Sequence, residues 1–224
     1  MEKTDIDIIT DLRSKEEGKY YHLLDLIEII DNNITKEINN KIQDSEINKQ
    51  QIRAINNEKY SELKQKIIFN IIDDEKEIYI NWKNIIWSSL FLSIYGNFES
   101  KINQICLFIK DKDKIELSLE DLRGSGLIRA KKYLYQVAKY NFPITEDNWQ
   151  CSEKYNKIRN ILAHNEGRFD KNKDKELCDF IKSKKIFDKD KIVITKDFTL
   201  ETGNLFYNIY LALLNELVRV IDNL

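Results

Sequence analysis

Helix-breaking residues are scarce in this chain. Its 224 residues include a single proline, Pro143, and six glycines. Proline removes a backbone donor and clashes with the preceding helical turn, and glycine weakens a helix, so their scarcity allows long uninterrupted helices. Hydrophobic residues make up 42% of the chain, which is enough for a buried core. We therefore predict an all-α protein, with one domain and a helical extension.

Charge and cysteine content narrow the class of protein. The formal net charge of −2 argues against a broad basic surface that coats nucleic acid, although it leaves room for a local phosphate site. The three cysteines, Cys106, Cys151 and Cys178, are widely spaced and show no metal-ligand pattern. The first residues are too charged for a signal peptide, and no apolar run is long enough to cross a bilayer. We expect a cytoplasmic protein that does not associate with membranes.

The N-terminal third has the pattern of long amphipathic helix. Over residues 14–72, apolar side chains recur at steps of three and four, beginning with Leu23, Ile27 and Ile30. The residues between them are strongly polar, which favours an exposed hairpin or a coiled-coil-like arm; the alternative is an ordinary helix packed on the body. We assign residues 1–77 to an N-terminal helical extension and residues 78–224 to the main domain.

Residues 78–110 are the most apolar segment and are apolar on more than one face. This pattern predicts a central buried helix. Glu99 is its notable polar residue: because an unpaired buried carboxylate is costly, Glu99 either has a partner, faces a cleft, or lies on the solvent side.

A glycine-rich turn, Arg123-Gly124-Ser125-Gly126, precedes the next predicted helix, 127–140. Such a turn at a helix N-terminus can bind an anion through backbone N–H groups. Arg123, Arg129 and Lys132 are therefore candidate substrate-binding residues, although most turns of this kind are only turns. Pro143 should end this helical run.

The pattern of the remaining chain predicts two more helices and a hairpin. A helix over residues 146–166 should stop at Gly167. A charged linker follows, and the β-prone run 192–194 predicts a short hairpin. A closing helix spans about 200–223.

The helix over 146–166 contains the most informative hexapeptide, Arg159-Asn160-Ile161-Leu162-Ala163-His164. Arginine binds phosphate with a planar fork, and histidine can act as general acid or base. Residues five apart on a helix point about 140° away from each other, so Arg159 and His164 do not share a face, whereas Asn160 and His164 do. Arg159 could join His164 if the helix ends nearby, or if two copies pack across a two-fold axis. The alternative is an ordinary surface pair.

This hexapeptide resembles the Arg-(polar)-x-x-x-His signature of the HEPN superfamily (higher eukaryotes and prokaryotes nucleotide-binding domains). The stretch IYGNFESKI looks like that family's early core helix, and DLRGSGLIRAKKYL looks like its connector and third helix. The hairpin and closing helix also fit. The resemblance covers residues 78–224, and residues 1–77 have no counterpart in it.

The resemblance implies an antiparallel helical bundle that dimerises to form a composite cleft. It implies metal-independent RNA cleavage, without a cofactor, in which the ribose 2′-OH attacks the adjacent phosphate. Arg159 and His164 would be the catalytic pair, Asn160 the polar residue beside the arginine, and Glu99 the supporting acidic residue. Such proteins are commonly toxins or phage-defence effectors, so an antitoxin or regulatory protein is an expected partner.

Two other interpretations remain open. Some HEPN domains only bind or assemble, so the chain could be a non-catalytic module that uses the arm, residues 14–72, to hold a partner protein. Alternatively, the arm could regulate a nuclease by packing over its cleft or by receiving an antitoxin.

Overall fold

The computed structural model describes residues 4–54, 62–124, 126–170, 172 and 174–222. In this part of the chain lie six α-helices and one small hairpin, in the order α1 (Asp5–Ala54), α2 (Glu62–Asp113), α3 (Gly126–Lys132), α4 (Glu146–Asn165), α5 (Lys175–Ser183), β1 (Phe187–Asp188), β2 (Lys191–Ile192) and α6 (Lys196–Asp222). The all-α fold and the hairpin before the last helix are confirmed. None of the helices, as far as they are described, has an apolar stretch that could span a membrane.

Helices α1 and α2 form a long antiparallel hairpin. Glu16 near the start of α1 pairs with Lys101 near the end of α2. At the opposite end, the Arg53 guanidinium lies 5.2 Å from the ring centroid of Phe69. Between these points, the Lys41 ammonium lies 5.5 Å from the Tyr79 ring. The predicted helical segment 14–72 is thus divided between two antiparallel helices, which is the hairpin among the arrangements expected for it. Residues 55–61 between the two helices lie outside the described part.

The N-terminal half of α1 packs on the body of the protein. Tyr20 stacks on Tyr207 of α6 with ring centroids 4.0 Å apart, and Lys196 at the start of α6 pairs with Glu28 at 2.8 Å. Helix α2 continues without a break through residues 77 and 78. The division into an extension and a main domain at this point stays a prediction. Only the end of the hairpin formed by the second half of α1 and the first half of α2 extends away from these contacts with α6, as an arm would.

The core lies where α2, α4 and α6 meet. Tyr155 of α4 makes edge contacts with Phe91 of α2 and with Phe198 and Phe206 of α6. Phe206 also stacks on Phe98 with centroids 4.1 Å apart. The expected central buried helix is therefore the second half of α2, where a buried side chain recurs at nearly every turn from Trp87 onward.

The segment between α4 and the hairpin was expected to be a charged linker, which is wrong: it contains α5. Leu177, Cys178 and Ile181 are buried and form a narrow apolar stripe within a charged sequence. Asp174 caps the helix by accepting a hydrogen bond from the Leu177 backbone N–H at 2.9 Å. Three buried residues are enough to stabilise this short helix because they form one face, which packs on α4.

The helix predicted over 127–140 ends earlier than expected, well before Pro143. Helix α3 gives way to a π-helical turn, Tyr133–Val137. The Ala138 N–H bonds to the Tyr133 carbonyl at 2.9 Å, and Lys139 then takes a left-handed conformation with φ 59°. The wider turn and the positive φ end the helix without any need for proline.

Candidate active site

Helix α4 carries the Arg159–His164 hexapeptide in its last two turns. Thr145 caps its start by accepting a hydrogen bond from the Asn148 N–H at 3.2 Å. Trp149, Tyr155 and Ile158 form its buried face. The helix ends at Asn165, and Glu166 follows in the left-handed conformation with φ 52°. His164 is thus the second-last residue of the helix, at the end where the backbone carbonyls are free.

Gly167 fixes the path of the chain as it leaves α4. Its φ is +80°, and a Cβ there would lie 3.1 Å from the carbonyl oxygen of Ile192 in β2. The Ile192 N–H also bonds to the Gly167 carbonyl at 2.8 Å. The hairpin therefore anchors the end of the helix that carries His164, and the predicted stop at Gly167 is correct to within one residue.

The Arg159 side chain contacts Asn160, its neighbour in sequence, and the aromatic ring of Tyr95. Its side chain is half-buried, and its guanidinium carbon lies 6.0 Å from the ring centroid of Tyr95 on α2. Its Nη1 donates a hydrogen bond to Oδ1 of Asn160 at 2.9 Å. A guanidinium over an aromatic face is attracted by the ring quadrupole, so Arg159 is directed towards α2.

Glu99 lies one turn beyond Tyr95 on α2 and is half-buried. Its Oε1 is 3.0 Å from the position that a Cβ on Gly126 would occupy. The first residue of α3 therefore packs directly against the Glu99 carboxylate. Burial raises the pKa of the Tyr95 hydroxyl, Glu99 raises it further, and the charge of Arg159 opposes them. Tyr95, Glu99 and Arg159 thus form one electrostatic cluster across α2 and α4.

Three polar atoms near this cluster are buried and have no hydrogen-bond partner among the described residues. They are the Tyr95 hydroxyl, Oδ1 of Asn103 and Nε of Arg129. Tyr95, Glu99 and Asn103 follow one another at four-residue steps, so they lie on one face of α2. The sequence reasoning missed Tyr95 and Asn103. The signal that could have found them was the four-residue spacing of polar groups inside an apolar helix.

The candidate substrate-binding residues divide into two kinds. Arg123 and Lys132 are exposed. Arg129 turns inward to α2: burial raises the pKa of the Cys106 thiol to about 12, and the nearby charge of Arg129 opposes this rise. Ser125, in the middle of the predicted anion-binding turn, lies outside the described residues.

His164 and Asn160 are both exposed. Because they are four residues apart, they lie on the same face of α4. Within the described part of the chain, no hydrogen bond or ion pair joins His164 to Arg159, Asn160 or Glu99. A single copy therefore places Arg159 and Glu99 around Tyr95, with Asn160 bonded to the arginine. His164 lies at the surface one helical turn from Asn160.

The described residues contain no group of three or more His, Cys, Asp or Glu side chains that could hold a metal ion. The cysteines are unpaired, and Cys106 and Cys178 are buried.

No family model, no curated protein and no solved structure matches this chain. The cluster supplies a guanidinium and a carboxylate, with the amide of Asn160 bonded to the guanidinium. A solvent-accessible imidazole, His164, lies further along the same helix.

Proposed function

We propose that this protein is a metal-independent endoribonuclease of the HEPN type, which acts as a homodimer and serves as a toxin or phage-defence effector. One observation carries the proposal: Arg159 is fixed on Tyr95 beside Glu99, while His164 stands exposed at the end of the same helix. The guanidinium can stabilise charge on phosphoryl oxygens, and the imidazole can transfer protons.

The proposed reaction is an internal transfer at the phosphate. The ribose 2′-oxygen loses its proton and bonds to the adjacent phosphorus, and the bond from phosphorus to the 5′-oxygen breaks. The 5′-oxygen takes up a proton, so the products are a 2′,3′-cyclic phosphate and a 5′-hydroxyl. His164 is the proposed proton carrier, and Arg159 with Asn160 binds the phosphate.

The chemistry of cleavage tests this proposal. RNA incubated with the purified protein in EDTA should yield fragments that end in a 2′,3′-cyclic phosphate. A substrate with 2′-deoxyribose at the cleaved position should stay intact, because it has no attacking hydroxyl. Cleavage of the deoxy substrate, or fragments with a 5′-phosphate, would contradict the mechanism.

A composite site also predicts complementation between variants. In one copy, His164 has no bond to Arg159 among the described residues, so the two groups can belong to different copies at one site. Arg159→Ala and His164→Ala should then be inactive separately, and a mixed dimer should regain one intact site. If the mixture stays inactive after the dimers have exchanged subunits, the two residues act within one copy.

The exposed face of the first half of α2 supports a second candidate, a non-catalytic module that holds a partner protein. Ile71, Ile78 and Ile85 are exposed by 54%, 50% and 60% and repeat every seven residues along α2. Ile67 and Trp82, also more than half exposed, lie on the same face. An unpartnered apolar stripe of this kind is typical of a helix-binding surface.

The two candidates differ in what the isolated chain does. The binding module predicts that the folded protein leaves RNA intact, and that Ile71→Asp with Ile78→Asp keeps the melting temperature, since both side chains are exposed. RNA cleavage that depends on His164, with no partner present, would exclude the non-catalytic module.

A further inference from the structure

A cavity of about 470 Å³ lies between the N-terminal half of α1, the second half of α2 and α6. Its lining includes neither Arg159 nor His164. Most of its walls are apolar, with the aromatic rings of Tyr20, Phe98, Phe206, Tyr207 and Tyr210. Sites for small molecules typically measure about 300–1,000 Å³ and are lined in this way.

The polar side of the cavity carries an excess positive charge. Glu16, with its side chain only 7% exposed, accepts hydrogen bonds from Lys101 and, at 2.7 Å, from Lys19. Burial alone would raise the pKa of Glu16, but the two lysines together hold it below its usual value. The carboxylate is therefore ionised at neutral pH and neutralises one lysine, while the second retains its charge.

A glycine keeps one wall of the cavity open. Gly203 lines the cavity from the interior of α6, where glycine is less favourable than alanine for helix stability. A Cβ at this position would meet only Cδ2 of Leu23 at 3.9 Å, which is ordinary contact. Close packing therefore does not require glycine here, and any longer side chain would extend into the cavity.

We propose that this cavity binds a small anionic amphiphile with an aromatic body. The body packs against the rings of Phe98, Phe206 and Tyr207, and the single negative group lies at Lys19 and Lys101. The charge of the second lysine selects an anion, and the aromatic walls select a flat apolar body. This site is separate from the proposed ribonuclease site and does not depend on it.

Titration with two fluorescent probes tests the proposal. We expect 1-anilinonaphthalene-8-sulfonate, an aromatic anion, to bind the full-length protein at one saturable site. Dansyl amide, an aromatic probe without charge, should bind more weakly. Gly203→Leu should weaken binding of the sulfonate by at least about tenfold, or 1.4 kcal/mol, because the new side chain fills the cavity.

Gly96→Leu is the matched control. Gly96 lies on α2 between two residues of the cavity lining, Ile94 and Asn97, but is not itself part of that lining. A Cβ at Gly96 would meet no atom within 4 Å. The same leucine at this position should leave the affinity for the sulfonate unchanged. Equal affinity of the parent protein and Gly203→Leu would overturn the proposal, as would equal losses in the two leucine variants.

Lys19→Gln provides a test that does not depend on repacking of the core. The Lys19 side chain is 66% exposed, so its replacement should not disturb folding. We expect this variant to lose affinity for the sulfonate and to keep its affinity for dansyl amide. If both probes lose affinity equally, or neither does, the charge does not select the ligand and the proposal fails.

Discussion

Gly167→Ala should destabilise the protein, although it adds only one methyl group. The position has φ +80°, where an L-residue costs about 1–2 kcal/mol. The new Cβ would also lie 3.1 Å from the Ile192 carbonyl oxygen, and this backbone atom is held by its own strand. We expect a total loss of about 2 kcal/mol in the free energy of unfolding, within the range for strained backbone positions.

Gly203→Ala is the matched control for this prediction. It makes the same chemical change inside α6, where the Cβ has room, so the helix should gain about 0.8–1 kcal/mol. In a chain of this size, 1 kcal/mol shifts the melting temperature by about 2–4 °C. Calorimetry should therefore show a decrease of about 4–8 °C for Gly167→Ala and an increase of about 2–4 °C for Gly203→Ala.

The difference between the two variants is the informative quantity. If Gly167→Ala is as stable as the parent protein, the hairpin does not hold the end of α4 in the described conformation, and the placement of His164 loses its support. A fall in stability for Gly203→Ala would show that the cavity wall is already filled.

Two further predictions concern other buried groups. Tyr95→Phe should keep the free energy of unfolding or raise it by up to about 1 kcal/mol, because it removes a buried hydroxyl without a partner. If urea unfolding shows that the free energy of unfolding falls by more than about 1 kcal/mol, the hydroxyl is hydrogen-bonded. The pKa of Glu16 is lower in the folded protein than its usual value of 4.5, so its stabilising effect is complete above pH 4.5 and is lost as the pH falls through the folded value. In urea unfolding from pH 7 to pH 3, the advantage of the parent protein over Glu16→Gln should shrink below that pH; a constant difference would be contrary to this linkage.

Local features of the fold follow from the sequence. The scarcity of helix breakers predicts the long helices, and the stop of α4 follows from Gly167, whose positive φ suits glycine. Helix α5 was missed because its apolar stripe contains only three residues. The early end of the helix before Pro143 depends on a π-helical turn that no spacing of apolar residues reveals.

Long-range contacts account for what the sequence could not predict at the site. The hexapeptide identified Arg159 and Asn160, whose hydrogen bond is local. The contact between Tyr95 and Arg159 depends on the crossing of α4 over α2. The burial of Asn103, and of the predicted candidate Arg129, depends on α3 covering the same face of α2. Likewise, the periodicity of α1 could not show that its first half packs on α6.

The rate of RNA cleavage in EDTA by the parent protein and by His164→Ala is the most direct test of the proposed ribonuclease. Arg168→Ala, an exposed arginine beyond the end of α4, is the matched control. A general acid–base group contributes about 10²- to 10⁴-fold to a rate, so His164→Ala should be slower by that factor while Arg168→Ala keeps the parent rate. Equal rates for His164→Ala and the parent protein would contradict the central claim.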